Sequence, residues 1–249
     1  MSEILLNREG AIARITLNRP EKLNALTGTM VEEWRKVLEE LSRDSECRVV
    51  IVTGTGRAWS AGVDLSAFQE IKVEPGFQFW EDGMAVMHQL ETMPQVTICA
   101  LNGFCFTGAM ELMMAFDLVI ASDEAKIGDT HTKWGILPKW GMTQRLQHLV
   151  GLRKAKELSF TAQAISGKEA ANIGLANLSV PASELEETVI KIANQIIENS
   201  AQTIAVVKEL YHHGSRHGLE AGLKFEENYQ APLTDKTEQL ANYKSNLKQ

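Results

Sequence analysis

The chain has 249 residues, 44% of them hydrophobic, enough to fill one large domain or a core with an appendage. Lys and Arg number 25 against 32 Asp and Glu, a net charge of −7 with no basic block, which argues against a nucleic-acid partner and for a small ligand. No apolar run reaches the roughly 20 residues of a membrane span, the start MSEILLNREG lacks a signal-peptide pattern, and Cys47, Cys99 and Cys105 form no C-x-x-C pair, so a cytoplasmic protein without membrane partner, disulfides or metal site is expected.

Ile4 to Leu6 and Ala11 to Leu17, short apolar or alternating runs around Glu9-Gly10, predict a hairpin. A helix capped by Thr29 should follow, with Met30, Trp34, Val37, Leu38 and Leu41 on one face and Glu32, Glu33, Arg35, Lys36 and Glu39 on the other. RVVIVTGTG reads as a buried strand entering a glycine turn. Met84 to Leu90 reads as a helix, and QVTICALNG repeats the strand-then-glycine pattern. Strand–turn–helix units in series imply largely parallel strands, whose ligands gather where strand ends meet helix starts. After Asp117 to Ile120, taken as a last short strand, the pattern turns helical: Arg153 to Phe160, Gly167 to Ile173, Leu185 to Asn199, Thr203 to His217 and Leu219 to Gln230. This helical third should pack on the core or on a neighbouring subunit.

Two glycine-containing loops follow buried strands: RAWSAGVDL (Arg57 to Leu65) and NGFCFTGAMEL (Asn102 to Leu112). Each can present free backbone N–H groups, and a helix starting at Thr107-Gly108-Ala109 adds a positive dipole end, so donors from both loops aimed at one point would stabilise an oxyanion. The alternative is that both are ordinary turns. Glu111 lies among Met110, Leu112, Met113, Met114 and Phe116 on a helix apolar nearly all round. A carboxylate there is either functional or held by a structural partner. His131, in IGDTHTKWGILP, stands two residues from Asp129, on the same side of an extended loop, so an Asp–His dyad competes with a structural histidine. Phe77, Phe79, Trp80, Met84 and Met87 either line an acyl tunnel or belong to the core.

The ordered set ITLNRPEKLNAL, RVVIVTGTGRAWSAGVDL, NGFCFTGAMELMMAFDLVIAS, GILPKWGMTQRLQHLVG and AKELSFTAQAISGKEAANIGLAN resembles the crotonase superfamily of enoyl-CoA hydratases and isomerases, over nearly the whole chain. The resemblance implies an α/β fold: a crotonase-like spiral of ββα units over residues 1–190, then a C-terminal helical trimerisation region over 191–249, assembled as a homotrimer or dimer of trimers. It implies an acyl-CoA substrate, with coenzyme A entering as part of that substrate and no separate cofactor. The thioester carbonyl would sit between the amides of Val63 and Gly108. Lys22, Leu23, Ala61, Asp64, Leu65 and Ser66 would contact the nucleotide and pantetheine, and Tyr243 would cover the nucleotide. Of the two glutamates that hold water in the family's hydratases, Glu111 matches the first, while His131 occupies the place of the second. A histidine there also resembles the β-diketone hydrolases of the superfamily, although the acid those enzymes carry nearby would fall on Trp140. The expectation is an enoyl-CoA hydratase/isomerase-type enzyme with Glu111 and His131 handling protons; a diketone hydrolase and a non-catalytic acyl-CoA binder are its rivals.

Overall fold

The computed structural model describes residues 2–64, 78–235 and 239–240. The expected hairpin is present as β1 (Ile4–Glu9) and β2 (Ile12–Leu17), paired antiparallel with Ile4 opposite Leu17. Helix α1 (Gly28–Ser42) buries Met30, Val31, Trp34, Leu38 and Leu41. Its cap is Thr27 rather than Thr29: Thr27 is extended, and its hydroxyl accepts the Met30 N–H at 3.0 Å. The helix therefore starts on Gly28, a weak helix former that the apolar pattern skips.

Three strand pairs then alternate between two sheets. The first members, β3 (Val49–Gly54), β5 (Val96–Leu101) and β7 (Leu118–Ser122), run parallel in a six-stranded sheet ordered β1-β2-β3-β5-β7-β10. The second members, β4 (Ala58–Ser60), β6 (Phe104–Phe106) and β8 (Lys126–Gly128), run parallel in a four-stranded sheet ordered β4-β6-β8-β9. Helices α2 (Gln78–Thr92) and α3 (Gly108–Met113) connect successive pairs, giving the spiral of ββα units. Asp117 to Ile120 is thus not in the last strand, because β8, β9 (Ile165–Ser166) and β10 (Leu178–Val180) follow. Strands of two or three residues are too short to show a period in sequence.

Side chains of β3 sort by alternation: Val50 and Val52 enter the main core, while Val49 and Ile51 face a second core. At the centre of the first, Trp34, Trp59 and Phe116 meet with ring centroids 6.0–6.5 Å apart. The second is closed by Leu185, Val189 and Ala193 of α8 (Leu185–Ile197), so the helix that straddles position 190 packs on the sheet. Between them come α4 (His131–Trp134), α5 (Met142–Val150), α6 (Leu152–Thr161) and α7 (Gly167–Asn172). Helix α5 had no expectation in sequence, since Gly141 and Gly151 bound it tightly. Helices α9 (Ala201–His217) and α10 (Leu219–Asn228) bury no side chain fully within the chain. Lys208 ties α9 to the core, its ammonium 2.7 Å from Asp117 and donating to the Leu90 and Gln95 carbonyls. Among the described residues no helix is long and apolar enough to cross a membrane, and no cluster of three His, Cys, Asp or Glu could hold a metal ion.

Candidate active site

Because β4 and β6 are neighbours, the loops leaving their ends emerge side by side. At Gly62 the two loops come close together. Its φ is +95°, and a Cβ there would lie 2.7 Å from the Phe106 carbonyl oxygen, so only glycine allows this approach. Val63 follows it, and its Cγ2 comes within 3.3 Å of the place a Cβ on Gly108 would take. A third segment lies alongside: Ala61 N–H donates to the Leu23 carbonyl, Leu26 N–H to Gly62, and Asp64 N–H to Leu26. That bridge leaves the Val63 N–H out of the ladder, and Gly108, as the first residue of α3, has no intrahelical acceptor. Neither amide donates to another described residue.

Asp64 is buried, and both terminal nitrogens of Arg19 lie 3.1 Å from its Oδ2; Arg19 also donates to the Ala25 carbonyl. The Asp64 side chain therefore fastens the Lys22–Leu26 loop to the Ala61–Asp64 segment. Lys22 is exposed at the end of the turn Pro20–Lys22, and Leu23 is half-buried with φ +53°. Leu65, Ser66, Phe77 and Tyr243 lie outside the described residues.

Glu111 is 2% exposed and His131 5%. Glu111 Oε1 accepts two backbone N–H groups, from Trp140 and Met142, each at 2.9 Å. Its Oε2 lies 3.5 Å from His131 Nε2. Burial pushes the Glu111 carboxyl above its ordinary value, against the pull of those amides and of His131. Behind the ring, Asp129 Oδ1 lies 2.7 Å from His131 Nδ1 and accepts the His131 N–H at 3.2 Å, while its Oδ2 accepts the Ser159 hydroxyl at 2.6 Å. Burial works to raise the Asp129 carboxyl, but the bonds from His131 and Ser159 hold it below its usual range. An ionised carboxylate only accepts, so Nδ1 carries a proton and Nε2 is the atom turned to Glu111. The Asp129 and His131 pairing does not come from an extended loop: His131 is the first residue of the one-turn α4.

Thr107 completes the wall. It is a non-glycine residue at φ +54°, a strained conformation of order 1–3 kcal/mol, and its hydroxyl meets that of Thr130 at 2.5 Å, linking the Gly108 loop to the His131 turn. Ala61, Val63, Gly108, Glu111 and His131, predicted from separate motifs, line one cavity of about 500 Å³. Trp80 and Trp140 line it too, whereas Phe79 is buried behind them, Met87 is core and Met84 is exposed. Sequence reasoning missed Ser159 and the Trp140 and Met142 amides. Ser159 comes from a helix 30 residues away with no local signal; the amides were signalled only by the Lys139-Trp140-Gly141-Met142 turn.

Parallel strand pairs that bring Val63, Gly108 and a buried carboxylate to the wall of one cavity define a protein of the crotonase fold. The solved enoyl-CoA hydratase of Bacillus anthracis superposes with a TM-score of 0.92, at 33% identity over 98% of this chain and 97% of that one. A Thermobifida fusca protein solved in complex with acetoacetyl-CoA gives a TM-score of 0.82 at 29% identity, over 96% and 95% of the two chains. In sequence, the short-chain-enoyl-CoA hydratase of Clostridium acetobutylicum is 39% identical over 227 residues, 91% of this chain and 87% of the relative. The enoyl-CoA hydratase/isomerase family model matches residues 7–248, and the chain belongs to that family of enzymes.

Proposed function

We propose that the protein hydrates an enoyl-CoA thioester, using the Val63 and Gly108 amides as an oxyanion hole and Glu111 with His131 as the proton-handling pair. The observation that carries this is the buried Glu111–His131 pair on the wall of the cavity those amides line. Oxygens and nitrogens 3.5 Å apart leave room for one water oxygen within hydrogen-bond distance of both. Glu111 takes a proton from that water as its oxygen bonds to Cβ. The Cα=Cβ electron pair moves towards the carbonyl, giving an enolate whose oxygen the two amides hold; one such donor typically contributes 10²–10³-fold. His131, whose Nδ1–H is held by Asp129, receives that proton from Glu111 at Nε2 and passes it to Cα, which leaves both groups as they began. Asp129 and Ser159 fix the ring by accepting and supporting its Nδ1–H. Lys22, Leu23, Ala61, Leu65, Ser66 and Tyr243 are assigned to the coenzyme A part of the substrate, and Asp64 to holding that loop in place.

Asp129 behind His131 also suits activation of water for hydrolysis, which keeps β-diketone cleavage as the second reading. Assay of the purified protein against crotonyl-CoA, 3-hydroxyacyl-CoAs, branched enoyl-CoAs and a cyclic β-diketone separates the two. Turnover of crotonyl-CoA to its 3-hydroxy product is expected. Diketone cleavage without it would favour hydrolysis, and acyl-CoA binding without any turnover would make the protein a carrier. A homotrimer or dimer of trimers is proposed as well, supported by Tyr211, Leu219 and Leu223, which α9 and α10 leave exposed.

A further inference from the structure

We propose that the indole of Trp140 is the specificity-determining wall that restricts this site to short acyl chains, an inference that rests on the enoyl-CoA assignment above. The ring is fully buried, yet it borders the same cavity as Val63, Gly108 and Glu111. Its placement is built from several sides. On one side α2 carries Gly83, where a Cβ would fall 2.2 Å from the ring carbons Cε2 and Cζ2, so only glycine leaves space for the indole. On the other, the ring reaches within 3.1 Å of the point where Gly108 would carry a Cβ. Trp140 Nε1 donates to the Trp80 carbonyl at 3.2 Å, and Phe79 and Trp80 pack edge-on or tilted against the ring at centroid distances of 5.1 and 5.6 Å. Its own backbone N–H holds Glu111 Oε1, so the wall and the base are fixed in register.

With the carbonyl at Gly108 and Cβ beside Glu111, a chain extended beyond Cβ towards Trp140 meets the ring early, because the ring stands 3.1 Å from the Gly108 Cβ position and its own backbone holds Glu111. A clamped side chain in a close-packed interior does not swing aside for a longer tail. The exposed side chains of Trp134 and Leu137, which also line the cavity, offer another apolar route, out along its rim.

The test is the chain-length profile. kcat/KM is measured for crotonyl-, hexenoyl-, octenoyl- and decenoyl-CoA with the wild type, Trp140→Leu and Trp140→Ala, and binding of the matching saturated acyl-CoAs is followed by calorimetry. One methylene that does not fit is typically worth about 10–200-fold, so the wild type should fall by at least about tenfold between hexenoyl- and decenoyl-CoA. Trp140→Leu, which keeps an apolar filler, should recover most of that loss. A flat wild-type profile would overturn the proposal and route the chain past Trp134 and Leu137; so would a Trp140→Leu profile that keeps the wild-type cut-off. If Trp140→Ala does not fold, the wild-type and Leu profiles still decide. Should no enoyl-CoA turn over, the reaction assignment fails by itself, while the binding series still shows whether affinity breaks at the same length.

Discussion

Replacing Glu111 by Gln separates a catalytic carboxylate from a structural one, because the two roles predict opposite changes in stability. Gln fits: its Oε1 can keep both the Trp140 and Met142 amides, and its Nε2 can donate to the His131 Nε2 that now stands 3.5 Å from the carboxylate. What disappears is the charge and the capacity to take a proton. General acid–base catalysis typically contributes 10²–10⁴-fold, so turnover should fall by that factor, about 3–5 kcal/mol in the barrier. Stability should move the other way. Burial raises the folded Glu111 above the ordinary 4.5, so the native state holds this proton more tightly than the unfolded chain. Wild-type stability is then lost as pH rises from 4.5 through the folded value, and above it the cost of the buried charge is fully present. Glu111→Gln should match the wild type at low pH and exceed it at pH 8. Urea melts at both pH values, with crotonyl-CoA turnover alongside, read both effects. Turnover within about tenfold of wild type, or a variant less stable at pH 8 than the wild type, would mean the carboxylate is a structural partner.

The acid limb of the activity profile should have its midpoint above 4.5, since a base raised by burial protonates early; a midpoint at or below that value, in initial rates against pH, would detach the limb from Glu111. Asp129→Asn exchanges charge-assisted bonds to His131 and Ser159 for neutral ones, and should cost about 1–2 kcal/mol at neutral pH. Because the folded Asp129 lies below 3.8, its contribution is present above that value and lost as pH falls through the folded one, so urea melts at neutral pH should show a gap to wild type; a gap that is absent there counts against the stabilised carboxylate. Gly62→Ala puts a Cβ 2.7 Å from the Phe106 carbonyl at φ +95°, and should destabilise by more than about 1 kcal/mol while depressing kcat; unchanged melting would show the two loops to be freely separable.

The spiral was legible wherever burial produced long apolar runs: β3, β5 and the apolar face of α1 stand out because each buries a continuous stripe. The second sheet was not, because its strands are three residues or fewer and pair only after the spiral closes. Glu111 could be singled out because a carboxylate in an apolar helix conflicts with its surroundings. His131 stood out beside Asp129, but its pairing with Glu111 needed the family motif, since nothing in its sequence neighbours points to that carboxylate. Ser159 and the Trp140 and Met142 amides act through tertiary approach alone, and Trp140 reads in sequence as one more bulky residue after Pro138. Only the fold shows it slotted between Gly83 and Gly108.

Hydration of crotonyl-CoA by wild type, His131→Ala and His131→Glu, followed as loss of the conjugated enoyl absorbance, tests the central claim most directly. A buried imidazole 3.5 Å from Glu111 and backed by Asp129 should carry the second proton transfer. His131→Ala should therefore lose at least about 100-fold in kcat, and His131→Glu should recover part of it by placing a second carboxylate beside the first. Wild-type turnover left unchanged in His131→Ala would contradict the account and leave the histidine as packing.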